Sequence, residues 1–170
     1  MIEGKVWKYA DDVNTDVIFA GKYTYKPMTA AEMAEHALED LDPTFAKGVK
    51  PGDIIVAGAN FGCGSSREQA ATCVKASGVA AVIAVSFSRI FFRNAINEGL
   101  PVVELASGTS MIAKDDTVKI DFDKGVVTHK AKEYRFPALP KEVLAILNDG
   151  GLIPHVKKAL AEAQASAGKA

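Results

Sequence analysis

Val79–Val85 reads VAAVIAV, a run without one polar side chain. A strand with a wet face alternates apolar and polar residues. A run with no alternation needs cover on both faces, which is the position of a strand inside a parallel sheet. Two shorter apolar runs flank it, IIVAG (Ile54–Gly58) and PVVEL (Pro101–Leu105). Helix signals lie between them. Ser65 and Glu68 have the spacing of a capping box, which predicts a helix from Ser66 to about Ser77, with Gly78 as its terminator. Ser86 or Ser88 can cap a second helix, of about ten residues, that Gly99 ends. Strand, helix, strand, helix, strand at this spacing is a parallel βαβαβ unit, so the fold class is α/β.

The flanks read differently. Val6–Tyr9 is a short strand, Asp11–Asp16 a turn, and Val17–Ala20 an apolar strand or loop entry. Gly21–Met28 is an exposed loop with Gly, Pro and lysines. Thr29 and Glu32 form a capping box, and the helix behind it runs to about Leu41, with Met33, Ala37 and Leu41 on one face; Asp42-Pro43 ends it. After the parallel unit, Thr117–Phe122 alternates, Asp123-Lys124-Gly125 turns, and Val126–Lys130 alternates again, an appended hairpin with one wet face. A short helix over KEVLAILNDGG and a final one over about Ile153–Gln164 follow, and residues 165–170 are expected to fray. At 170 residues the whole is expected to be one domain, residues 1–170.

Charge narrows the function. The net charge of −1 comes without a basic run, so no nucleic acid is expected. No stretch approaches the ~20 apolar residues of a membrane span, and the N-terminus has no signal-like apolar region, so no membrane contact and a cytoplasmic location are expected. Two cysteines, Cys63 and Cys73, and three scattered histidines are too few to hold an iron–sulfur cluster or structural zinc within this chain, so no metal site is expected in it.

The chemistry concentrates in GANFGCGSSREQA, Gly58–Ala70. No lysine precedes Ser65, which removes the phosphate P-loop. Arg67 stands where a dinucleotide loop needs its last glycine, and Glu68 stands where a hydrolase elbow needs one. The remaining pattern is strand, bare loop, helix start, with two hydroxyls and a guanidinium. Unpaired amides at a helix start favour an anion, and a planar guanidinium suits a carboxylate. The segment reads as a carboxylate clamp with a serine that can act as a base. The same spacing also fits a plain cap at Ser65 and a surface arginine at Arg67.

This motif resembles the signature of the small subunits and swivel domains of the aconitase superfamily. DDVNTDVIFAGKY, AVIAVSFSRIFFRNAINEGLPVVE and DGGLIPHVKK resemble further family segments, in family order, from Gly4 to about Leu160. The resemblance implies a three-layer β/β/α swivelling domain. It implies a large subunit as partner, with the 4Fe–4S iron–sulfur cluster in that partner and no cofactor in this chain. It also implies a hydro-lyase that shifts a hydroxyl by dehydration and rehydration of a small di- or tricarboxylate. Ser65 is implied as the base and Arg67 as the carboxylate partner; Asp16 completes the catalytic set by orienting the two, and Ser66 binds substrate.

The length matches that of separate small subunits, those of 3-isopropylmalate dehydratase, homoaconitase and 2,3-dimethylmalate dehydratase, and the first is the expectation. Residues 21–28 fall on the substrate-recognition loop, where Thr24, Tyr25 and Lys26 are candidate substrate contacts. Gly21, Lys22 and Tyr23 follow the family pattern, whereas Thr24 replaces a usual leucine. Tyr25 favours an isopropyl group and Lys26 an extra carboxylate. Cys63 reads as structural; Arg89, Arg93 and Asn94 read as subunit contact or fold support; His36, His129 and His155 read as ordinary histidines. A non-catalytic carboxylate-binding or assembly module is the alternative of another class.

Overall fold

The computed structural model describes residues 1–167, with side chains through residue 165. Seven strands form one continuous ladder in the order β4-β3-β2-β1-β5-β6-β7. The parallel part is β1 (Ile2–Lys8), β2 (Ile54–Val56), β3 (Ala81–Ala84) and β4 (Val102–Glu104). The antiparallel part adds β5 (Thr117–Asp121), β6 (Val126–His129) and β7 (Lys132–Arg135).

One strand serves both parts. Ile2–Lys5 pair with β5, whereas Val6–Lys8 pair with β2. Gly4 sits just before the ladder changes partner, and a Cβ there would lie 2.0 Å from the Gly52 carbonyl oxygen, so only glycine lets the turn before β2 approach so closely.

The curl stacks the antiparallel part on one face of the parallel part. Ile54, Val56, Ile83 and Val103 share a core with Ile120, Val127 and Phe136. Their alternate neighbours Ile55, Ala57, Val82 and Val102 face a second core made with the helices. Both faces of β2 and β3 are thus covered, as the unbroken apolar runs require, and the result is the expected β/β/α layering. The helical layer holds α1 (Thr15–Ile18), α2 (Ala30–Ala34), α3 (Phe45–Gly48), α4 (Glu68–Ala76), α5 (Arg89–Glu98) and α6 (Lys141–Asn148), followed by α7 (Leu152–Ala167). Ser88 Oγ accepts from the Phe91 amide and Gly99 takes φ 74°, so α5 starts and stops on the residues its sequence marks.

Four local expectations are corrected. Of Val17–Ala20, Val17 and Ile18 are helical, because Asn14 Oδ1 accepts from the Asp16 amide and caps the single turn of α1, and Phe19 and Ala20 enter the loop. The capping box of Thr29 and Glu32 forms, but its helix stops at Ala34 and not near Leu41. Leu38 takes φ 57° to donate its amide to the Ile18 carbonyl at 2.8 Å, which pulls the chain off the helical path and leaves Leu41 exposed. The box expected at Ser65 and Glu68 does not form; α4 starts at Glu68, with Arg67 extended before it. The expected hairpin has a third strand, β7, which three charged residues of four hide from the period-two pattern and protect as an edge. The helix α7 runs through residue 167, and residues 168–170 of the tail expected to fray lie outside the described residues.

Candidate active site

The glycine-rich loop after β2 and the turn after β1 meet beyond the carboxyl ends of the parallel strands, the usual place for a ligand in such a sheet. The Thr15 amide donates to the Cys63 carbonyl at 2.8 Å and the Gly62 amide to Val13 at 2.7 Å. Gly64 takes φ 97°, and a Cβ there would stand 2.4 Å from Asn14 Oδ1. Glycine is needed twice over, for the left-handed turn and for the approach of Asn14.

That contact brings Asp16 to the motif. Arg67 Nη1 lies 2.7 Å from Asp16 Oδ1 and also donates to the Phe19 carbonyl at 3.2 Å. Ser65 Oγ is 3.4 Å from the same Asp16 oxygen and 3.3 Å from Thr15 Oγ1. The failed capping box now has a reason. Arg67 is drawn to Asp16 and Phe19, the backbone stays extended, and the Ser65 hydroxyl faces Asp16 instead of an amide of α4. Ser65 and Ser66 are exposed, and Arg67 is mostly covered. A hydroxyl, a carboxylate and a guanidinium thus converge at an open surface beside the first turn of a helix, an arrangement able to bind a carboxylate and move a proton.

The structure therefore joins Ser65, Arg67 and Asp16, with Ser66 next to them. Thr24, Tyr25 and Lys26 lie on the adjoining segment, which opens with the 3₁₀ turn Gly21–Tyr23. Among the described residues, that segment reaches the clamp through the Phe19 carbonyl and through Gly21, where a Cβ would be 3.4 Å from Arg67 Nη2. Tyr25 is 97% exposed, Lys26 Nζ rests 5.2 Å from the Tyr23 ring centre, and Thr24 Oγ1 is buried with no hydrogen-bond partner among the described residues.

Sequence reasoning missed two supports. Thr15 is buried, and its hydroxyl donates to the Ser65 carbonyl at 3.1 Å, holding the serine from behind. Asn14 caps α1 and fixes Asp16. Asn-x-Asp within a turn is a capping pattern, and that signal was present in DDVNTD.

The other singled-out residues have plain roles. Burial pushes the Cys73 thiol well above its ordinary range. Cys63 is half-buried in the loop. Arg89 and Arg93 are exposed on α5, and His129 is buried against Asp116 at 2.8 Å. Among the described residues, no three His, Cys, Asp or Glu side chains converge to hold a metal ion, and no helix is long and apolar enough to cross a membrane.

Comparison with known proteins gives a consistent result. The aconitase C-terminal domain family matches residues 11–108. A 3-isopropylmalate dehydratase small subunit 2 of Archaeoglobus fulgidus is 49% identical over 91% of this chain and 94% of its own length. A small subunit 1 of the same enzyme from Thermotoga maritima is 49% identical over 93% and 96%. The crystal structure of a 3-isopropylmalate dehydratase from Methanocaldococcus jannaschii superposes with a TM-score of 0.91 at 42% identity, covering 97% of this chain and 98% of that one. Through its clamp loop, its layered sheet and these relatives, the chain belongs to the aconitase C-terminal domain family, among the small subunits of the hydro-lyase 3-isopropylmalate dehydratase.

Proposed function

We propose that this chain joins a large subunit in the cytoplasm to interconvert 2-isopropylmalate and 3-isopropylmalate by dehydration and rehydration. The observation that carries the reading is the shared Asp16 oxygen, which places Ser65 and Arg67 side by side on an exposed face. Removal of a carbon-bound proton next to a carboxylate needs a base and a cation within reach of one another.

Ser65 is the base in this reading. Its O–H points to Asp16, so an oxygen lone pair is left for the carbon-bound proton, and Asp16 is the acceptor toward which the hydroxyl proton moves. The separation of 3.4 Å is long for a working hydrogen bond, and such contacts tighten when a ligand binds. Arg67 pairs with the substrate carboxylate, on which charge builds as the proton leaves, and Ser66 donates to it. The helix start of α4 adds a favourable field for that charge.

A 4Fe–4S cluster supplies a Lewis-acidic iron for the leaving hydroxyl when bound. The donor set here does not fit it. Cys73 is buried and Cys63 lies alone, so the ligands fall to the large subunit. A second reading, with a tricarboxylate substrate as in homoaconitase, is favoured by Lys26 on the recognition segment.

The test is reconstitution with a cluster-bearing large subunit, with turnover of 3-isopropylmalate followed by the absorbance of the unsaturated intermediate. The isolated chain is expected to be colourless and inactive, and the pair active. A pair that assembles, carries its cluster and leaves 3-isopropylmalate untouched would sink the reading and leave the non-catalytic module standing.

A further inference from the structure

The recognition segment is held by one carboxylate that belongs to neither the clamp motif nor the segment itself. Glu39 lies in the turns after α2, mostly covered. Its Oε1 lies 2.6 Å from Lys22 Nζ, close enough for an ion pair although the angles do not make it a hydrogen bond. Its Oε2 takes His36 Nδ1 at 2.8 Å and the Tyr23 hydroxyl at 3.4 Å. The His36 ring stacks on Tyr23 with centres 4.0 Å apart, and Asp40 adds a second, looser contact to Lys22 at 3.9 Å. Burial pushes the Glu39 carboxyl up, but the contacts with Lys22, His36 and Tyr23 outweigh it and hold it below its ordinary value, so it stays charged.

This arrangement has a consequence for the substrate. Lys22 follows Gly21, which lies against the Arg67 guanidinium. Lys22 is therefore rooted one residue from the clamp, and its charge bears on any ligand held by Arg67. In this structure the ammonium is instead paired with Glu39, which neutralises it. We infer that Glu39 is a positioning residue for substrate choice: it holds Lys22 in an ion pair and pins Tyr23, so that the Lys22 ammonium is not free to meet a third carboxylate. The inference rests on the proposed dehydratase reading and deepens it.

Two measurements test it. In the isolated chain, trypsin can cut after Lys22 but not at Lys26, because Pro27 follows Lys26. Glu39→Gln is expected to speed the cut after Lys22 about tenfold, since the ion pair that restrains the segment is gone. An unchanged rate overturns the anchor, whatever the enzyme does. In the reconstituted pair, Glu39→Gln is expected to raise the ratio of kcat/KM for a hydroxy-tricarboxylate over 3-isopropylmalate about tenfold, the scale of one added charge-assisted hydrogen bond. Lys22→Met added to Glu39→Gln should cancel that rise, and Lys22→Met alone should leave the native ratio in place. A ratio unmoved by Glu39→Gln, or a rise that survives Lys22→Met, overturns the role in specificity. Failure of the native pair on 3-isopropylmalate counts against the proposed function, and the trypsin cut then decides the anchor separately.

Discussion

Arg67 Nη1 stands 2.7 Å from Asp16 Oδ1, and the same oxygen faces Ser65 Oγ. The Asp16 side chain is 55% exposed, so solvent screens the pair and its worth to stability is small, below ~1 kcal/mol. Its worth lies in placement. Asp16→Asn should therefore leave the urea midpoint nearly unchanged while lowering kcat about a hundredfold, the scale of a displaced reacting group. Equal losses of stability and turnover would make Asp16 a structural residue only.

Ser65→Ala tests the base and the corrected helix start together. A capping serine would cost about 1 kcal/mol on removal. Ser65 caps nothing, so its loss should stay within ~0.5 kcal/mol, as for an exposed side chain. Turnover of the reconstituted pair should fall about a thousandfold, within the range for a lost general base. A stability loss of the capping size with turnover retained would reverse both conclusions.

Those two residues also show where sequence reasoning ran out. The runs Ile54–Val56 and Ala81–Ala84 reveal their layer because burial on both faces leaves no polar position at all. Ser88 and Gly99 mark α5 because cap and terminator act within a few residues of the chain. Ser65 misleads for the opposite reason. Its spacing to Glu68 is that of a cap, but its partner Asp16 lies 49 residues away, and no local pattern reports a competitor at that distance. Likewise, Lys22 carries the family's basic pattern, yet Glu39 decides where its charge points.

Gly64→Ala should damage the site through its backbone. The residue sits at φ 97°, and the new methyl would meet Asn14 Oδ1, the atom that holds the Asp16 amide. Strain of this kind costs about 1–3 kcal/mol, and kcat/KM should fall with it because Asp16 shifts. Gly52→Ala is the control, since Gly52 has φ 99° but no atom within 4 Å of an added Cβ. Gly52→Ala should lower the urea midpoint and spare kcat/KM; matching losses of activity in the two variants would remove the special role of Asn14.

Acid should weaken the β layer through Asp116. The Ala113 amide, and after it His129 and Lys130, hold this carboxyl below its ordinary value of 3.8. The unfolded chain then binds the proton first as pH falls, so the stability from Asp116 is complete above that value and is lost as pH drops through the lower folded one. The difference in urea midpoint between wild type and Asp116→Asn should be constant from neutral pH to about 5 and shrink below it. A difference that grows toward acid would contradict the sign.

Lys26 also rests on Tyr23 and bears on substrate choice. Its ammonium lies 5.2 Å from that ring's centre and Lys22's lies 5.0 Å away, but only Lys22 carries the Glu39 pair described above. A cation resting on an aromatic face is held by about 0.5–1 kcal/mol at an exposed site, weakly enough for a carboxylate to draw it off. Lys26→Val should therefore lower kcat/KM for a hydroxy-tricarboxylate about tenfold or more, the value of one charge-assisted hydrogen bond, and spare or improve 3-isopropylmalate. The reading requires both substrates to be assayed with the same large subunit. Equal ratios in wild type and variant would mean that Lys26 stays on Tyr23 throughout turnover, and Tyr25, exposed at the tip of the segment, would be the next side chain to truncate.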